Sequence, residues 1–176
     1  MDYPNAVIEE LMQDFRQIIG TDFEKYRNHV YRVFLNCILQ DNNPANTEKY
    51  AIAAVFHDIG IWTDHTIDYL NPSIAQAKSY LMSVNKPDLF EEVSSMIYWH
   101  HKISSYQGNF QQTTENFRRA DWIDVSLGFL TFGVDKKIIR QNQKKIANLG
   151  FHMFLLRETT KNFLKHPLKP LPMFTK

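Results

Sequence analysis

At 176 residues the chain has the length of one ordinary domain, enough to bury a full core without disulfide or metal staples. Its 44% hydrophobic and 22% charged residues exclude a disordered or fibrous class, and a net charge of +1 with neutral histidines excludes a global field that would gather nucleic acid or anionic lipid. A single cysteine, Cys37, excludes an internal disulfide framework and a multi-cysteine zinc site.

Apolar residues recur at three- and four-residue steps along most of the sequence, and alternation of the strand type is scarce, so the fold class expected is all-α, a compact multi-helix bundle. The first segment runs from about 5 to 19, with Val7, Ile8, Leu11, Phe15, Ile18 and Ile19 on one side, and closes at Gly20. The second runs from about 22 to 40, with Phe23, Tyr26, Val30, Val33, Phe34, Cys37 and Ile38 as its stripe. A third opens after "NNPANTE" and stops near Gly60. Asn71-Pro72 reads as a cap followed by the proline that helix starts tolerate, launching a segment to about Val84. Pro87 opens "PDLFEEVSSMIYWHH", whose acidic residues fall in the early turns where the helix dipole favours them. "YQGNFQQTT" reads as a loop, helices follow at about 114 to 130, 136 to 148 and 150 to 165, and "HPLKPLPMF" reads as an extended tail. With no repeat and no linker, one domain over residues 1–176 is expected, its core at about 22–130. The N-terminus lacks a secretory pattern and no run of about 20 apolar residues occurs, so a cytoplasmic location without membrane contact is expected.

The third segment holds the sharpest signal. "AIAAVFHDIGIW" places His57 and Asp58 side by side in an almost wholly apolar run, where an ionised carboxylate costs several kcal/mol unless something neutralises it. His29 projects from the apolar stripe of the second segment, and Asp121 sits among Ala120, Trp122, Ile123 and Val125. Taken singly, His29 reads as a core histidine bonded to a carbonyl, and Asp121 as a helix carboxylate facing solvent or a neighbouring arginine. Taken together, three polar insertions on three segments share one explanation: they meet at a cation. Imidazoles and carboxylates form a mixed nitrogen and oxygen set suited to one divalent ion of Mn, Fe, Ni, Co or Zn.

His29, then His57-Asp58, then Asp121, each in a helical context, resembles the H…HD…D signature of the HD-domain superfamily, mainly metal-dependent phosphohydrolases. The resemblance spans about residues 25 to 130, and the HDIG form of the doublet strengthens it. It implies that His29, His57, Asp58 and Asp121 bind one metal, that Asp58 also orients an attacking water, and that the substrate is a phosphoester or phosphoanhydride, with a nucleotide as the commonest theme of the superfamily. The chain departs from the family at Ile61, where several members carry a charged residue, which leaves Asp64 and His65 as the nearest replacements. The region of Pro72, Ser73 and Ile74 lacks the extra histidine of two-metal members. His100 and His101 resemble histidines that many members send towards the site, as phosphate contact, acid or second-metal ligand. Lys102, Arg118 and Arg119 are candidate anion contacts. Other chemistries on the same site stay open: an iron-dependent oxygenase, a hydratase of a small nitrile-like substrate, or a non-catalytic binding module. A small phosphorylated molecule is the partner expected, nucleic acid is not, and a homodimer is compatible with the pattern.

Overall fold

The computed structural model describes residues 3–165. Among them all regular structure is helical: α1 (Ala6–Ile19), α2 (Phe23–Gln40), α3 (Thr47–Phe56), α4 (Gly60–Thr63), α5 (Leu70–Ser83), α6 (Phe90–Trp99), α7 (Gln111–Val125), α8 (Lys136–Lys145) and α9 (Phe151–Lys165), with single 3₁₀ turns before α2, α3 and α6. The proline-rich segment from His166 onward lies outside the described residues. No described helix is long and apolar enough to cross a membrane.

Asn5 starts α1 by accepting a hydrogen bond from the Ile8 amide, and the Gly20 amide closes it on the Arg16 carbonyl. Ile8, Leu11 and Met12 then face the core. α3 is buried throughout from Tyr50 to Phe56, so its hydrophobic face is the whole cylinder and its sequence shows no polar stripe.

α2 packs along α7, and that contact carries a polar seam. His29, Arg32 and Asn36 recur at three- and four-residue steps on α2, which aligns them on one face. Arg32 reaches Asp124, and the Asn36 amide donates to the Ala120 carbonyl at 3.2 Å. Gln40 donates to the Asn116 carbonyl, also at 3.2 Å.

Several boundaries differ from the sequence expectation: α6 opens at Phe90 after a 3₁₀ turn over Pro87–Leu89, α7 ends at Val125, before Leu127 and Gly128 take positive φ, and not near 130, and α8 ends at Lys145 and not near 148. Gly60 begins the short α4 and does not end the preceding helix; residues 57–59 form a turn, tightened by hydrogen bonds from Ile59 to the Phe56 carbonyl and from Ile61 to the Asp58 carbonyl. The reason is close packing: a Cβ on Gly60 would stand 2.7 Å from the Tyr69 carbonyl oxygen and 2.9 Å from Pro72 Cβ. α5 starts at Leu70 with Tyr69 before it, so Asn71 is already helical and caps nothing. α7 starts at Gln111, inside the stretch expected to be a loop. There Thr113 donates to Glu92 and Thr114 to Ser95. These contacts to α6 supply what the sequence "QQTT" lacks in helix propensity.

Candidate metal centre

The turn after α3 delivers His57 and Asp58 to the centre of the bundle, where α2 brings His29, α7 brings Asp121 and the end of α6 brings His100 and His101. His29, His57 and His100 are fully buried, and Asp58 and Asp121 are each 2% exposed. His29 Nε2 lies 3.0 Å from His57 Nε2. Asp58 Oδ2 is 3.6 Å from the former and 3.4 Å from the latter. Asp121 Oδ1 completes the group, 3.6 Å from His29 Nε2 and 3.8 Å from His57 Nε2. The residues expected to share a cation therefore converge.

The hydrogen bonds on the far sides of the rings decide what the near sides offer. His57 Nδ1 stands 2.8 Å from the Ala54 carbonyl and His100 Nδ1 2.6 Å from the Ile97 carbonyl. A carbonyl only accepts, so both rings must carry a proton on Nδ1. In their neutral forms each then presents a bare Nε2 lone pair to the centre. Buried alongside without hydrogen-bond partners are His100 Nε2, Asp58 Oδ1 and Asp121 Oδ1. Buried acceptors without partners are costly by themselves, and each could donate an electron pair to a cation. His29, His57 and Asp58 form one group that could hold a metal ion, and Asp58, His100 and His101 a second. Asp58 belongs to both.

The titration behaviour follows from crowding like groups in a dry space. Burial pushes the Asp121 carboxyl well above its ordinary range, and the charges of Asp58 and Asp124 add to this. Burial acts on Asp58 in the same sense, but His57 and His100 outweigh it and hold that carboxyl low. Burial lowers His29 to about 4 despite the Asp124 carboxylate beside it. For His57 burial is overcome by Asp58 and Asp121, which raise it to about 9.

His101 stands at the less buried side. Its ring lies 3.8 Å from that of His100, its Nδ1 is 3.7 Å from Asp121 Oδ2, and its Nε2 bonds the buried phenol of Tyr69. The remaining sequence candidates make contacts of their own. Asp64 and His65 are exposed in the connection between α4 and α5. Asp64 accepts from the Thr63 hydroxyl, and His65 borders a surface cavity with Asp22, Trp62, Ile67, Phe154 and Glu158. Arg118 is buried, with its guanidinium on Glu115 at 2.5 and 2.8 Å and on the Lys102 carbonyl at 3.1 Å. Arg119 also bonds Glu115, and the Lys102 ammonium stands over the Tyr98 ring.

Sequence reasoning passed over several residues that build this centre. Asp124 and Arg32 pair directly behind His29. Each falls three positions after a metal candidate on its own helix, and that spacing was the available signal. Tyr69 and Phe151, whose ring stacks on His29 at 4.1 Å, carry no local signal.

Compared with known proteins, the chain matches no family model, no curated protein and no solved structure. What stands is a chain whose described residues form an all-helical fold with a buried histidine and carboxylate group that could hold a metal ion.

Proposed function

We propose that this chain is a metal-dependent hydrolase of the HD-domain type, acting on a phosphoester or phosphoanhydride of a small metabolite, with a nucleotide as the substrate class. The observation that carries the reading is the convergence of His29, His57, Asp58 and Asp121 with acceptor atoms left unpaired between them. It matches the order H…HD…D in which those residues occur along the chain. A divalent ion bound there lowers the pKa of a coordinated water from ~15.7 towards ~7 and polarises a phosphoryl oxygen. His29, His57 and Asp121 would hold the ion. Asp58 turns one oxygen to His29 and His57 and the other to His100 at 3.4 Å; it would ligate the ion and orient the attacking water. His101, bonded to Tyr69 at the less buried side, would return a proton to the leaving group in this reading.

The shared position of Asp58 between two candidate groups favours one second reading, a two-ion site of the kind that an iron-dependent oxygenase uses. Metal stoichiometry separates the readings: one ion per chain with phosphoester hydrolysis supports the first, and two iron ions without hydrolysis the second. The direct test loads purified protein with Mn²⁺, Fe²⁺, Ni²⁺, Co²⁺ or Zn²⁺ and screens nucleotides and other small phosphoesters, alongside Asp58→Ala. Metal and hydrolysis are expected to vanish together in the variant while the helical circular dichroism is retained. Wild-type protein that binds no metal, or a variant that keeps both properties, contradicts the proposal.

A further inference from the structure

Behind His29 lies a buried assembly that the reaction scheme above does not use. Asp124 Oδ2 is 2.7 Å from His29 Nδ1. Arg32 grips the same carboxylate from the other side, with Nε 2.6 Å from Oδ1 and Nη2 3.0 Å from Oδ2. Its remaining nitrogen, Nη1, donates to the carbonyls of Ile146 and Ala147 at 3.3 and 3.2 Å. The Asp124 backbone carbonyl accepts from His152 Nε2 at 2.9 Å. Arg32 and Asp124 are 2% and 1% exposed, so neither can turn to solvent for an alternative partner.

We infer that Asp124, clamped by Arg32, is a positioning residue for His29. The two donors of Arg32 keep Asp124 an ionised acceptor on both oxygens. An acceptor at 2.7 Å from Nδ1 fixes the ring proton there, and the lone pair is then forced onto Nε2, the atom that faces His57, Asp58 and Asp121. The Phe151 ring, stacked on His29 with an interplanar angle of 18°, fixes the remaining freedom, rotation of the imidazole about its own bond. His57 and His100 achieve the same outcome with a backbone carbonyl. At position 29 the acceptor is instead a side chain, and it belongs to α7, the helix that also supplies Asp121. One helix therefore delivers one candidate ligand and orients another, which couples the docking of α2 on α7 to the shape of the site. A carboxylate behind a ligating imidazole also raises the electron density at its free nitrogen, and loss of such a partner typically weakens metal binding by about 10- to 100-fold.

The inference rests on the cation-binding reading for its consequence but not for its geometry, and the experiment separates the two. In metal-free wild-type protein, ¹⁵N correlation of the assigned histidine rings is expected to place the His29 proton on Nδ1. The variant Arg32→Met/Asp124→Leu removes the buried ion pair as a unit, a replacement that buried pairs commonly tolerate. Arg32→Met/Asp124→Asn returns a neutral acceptor behind the ring. Titrated with Co²⁺, the leucine variant is expected to lose about 10- to 100-fold in affinity and the asparagine variant to recover most of it, with both folded by circular dichroism. A His29 proton found on Nε2, or a folded leucine variant with wild-type Co²⁺ affinity, overturns the inference. Wild-type protein that takes up no Co²⁺ overturns the hydrolase proposal, while the ring spectrum still decides the role of Asp124.

Discussion

At His57 a single hydrogen bond settles what the ring can do, because the Ala54 carbonyl behind it admits only a donor. The sequence pattern "VFHDIG" says that a charged pair is buried; it does not say which nitrogen faces inward. That detail depends on backbone geometry at the end of α3, and it converts a suspicious dipeptide into part of a group that could hold a cation. His29 and Asp121 are similar in this respect. Their burial was readable from the apolar residues around them, whereas Asp124, the partner behind His29, arrives from a helix distant in sequence.

Asp41 shows the same logic in a purely structural setting. It sits at the end of α2 and accepts from the Asn43 amide at 2.9 Å, the Asn46 side chain at 2.7 Å and the Tyr50 hydroxyl at 2.8 Å, thereby holding the entry to α3. Burial pushes its pKa up, but these hydrogen bonds outweigh burial and hold it below the ordinary value. A carboxyl whose pKa is depressed by folding stabilises the native state above its unfolded pKa, and that contribution disappears as pH falls through the folded value. Urea midpoints measured from pH 7 down to pH 3 are therefore expected to fall more steeply for wild type than for Asp41→Asn. Equal slopes would remove Asp41 from the acid response.

Among the elements, the turn between α3 and α4 has the least room to vary. Gly60 lets the chain pass within van der Waals contact of Tyr69 and Pro72, and its amide is bound by the Ser73 hydroxyl at 3.0 Å. Gly60→Ala forces a Cβ against a backbone carbonyl, which cannot swing aside as a side chain would. The expected cost is about 1–3 kcal/mol in denaturant melts, with weakened cation binding because Asp58 lies two residues earlier. A variant as stable as wild type would show that α5 yields freely. α1 and α2, with strong periodicity, fell within a residue of where the sequence placed them, while α6 begins three residues after Pro87, which opens a 3₁₀ turn instead. The start of α7 also differs, because its first turn is held by Thr113 and Thr114 reaching α6, a contact that local propensity does not encode. Similarly, Asn71-Pro72 has the composition of a helix start, yet packing against Gly60 moved the start back to Leu70.

Taken as a whole, the molecule gathers His29 from α2, the 57–58 doublet from the turn after α3, His100 and His101 from the end of α6, and Asp121 from α7. α9 lies against this assembly through Phe151 on His29 and Phe154 on Trp62, the latter rings parallel within 7°. A cation that binds the folded chain and not the unfolded one stabilises it by mass action, about 2.7 kcal/mol at a free concentration one hundred times Kd. Thermal melts with added Zn²⁺ or Mn²⁺ are expected to shift upward in wild type and to remain unchanged in His57→Ala. The most direct measurement is anomalous diffraction from crystals grown with one of these ions and recorded above its absorption edge. The account predicts a peak bonded by His29 Nε2, His57 Nε2, Asp58 and Asp121; an absent peak in a metal-soaked crystal, or His29 or Asp121 turned away from the 57–58 doublet, would contradict it.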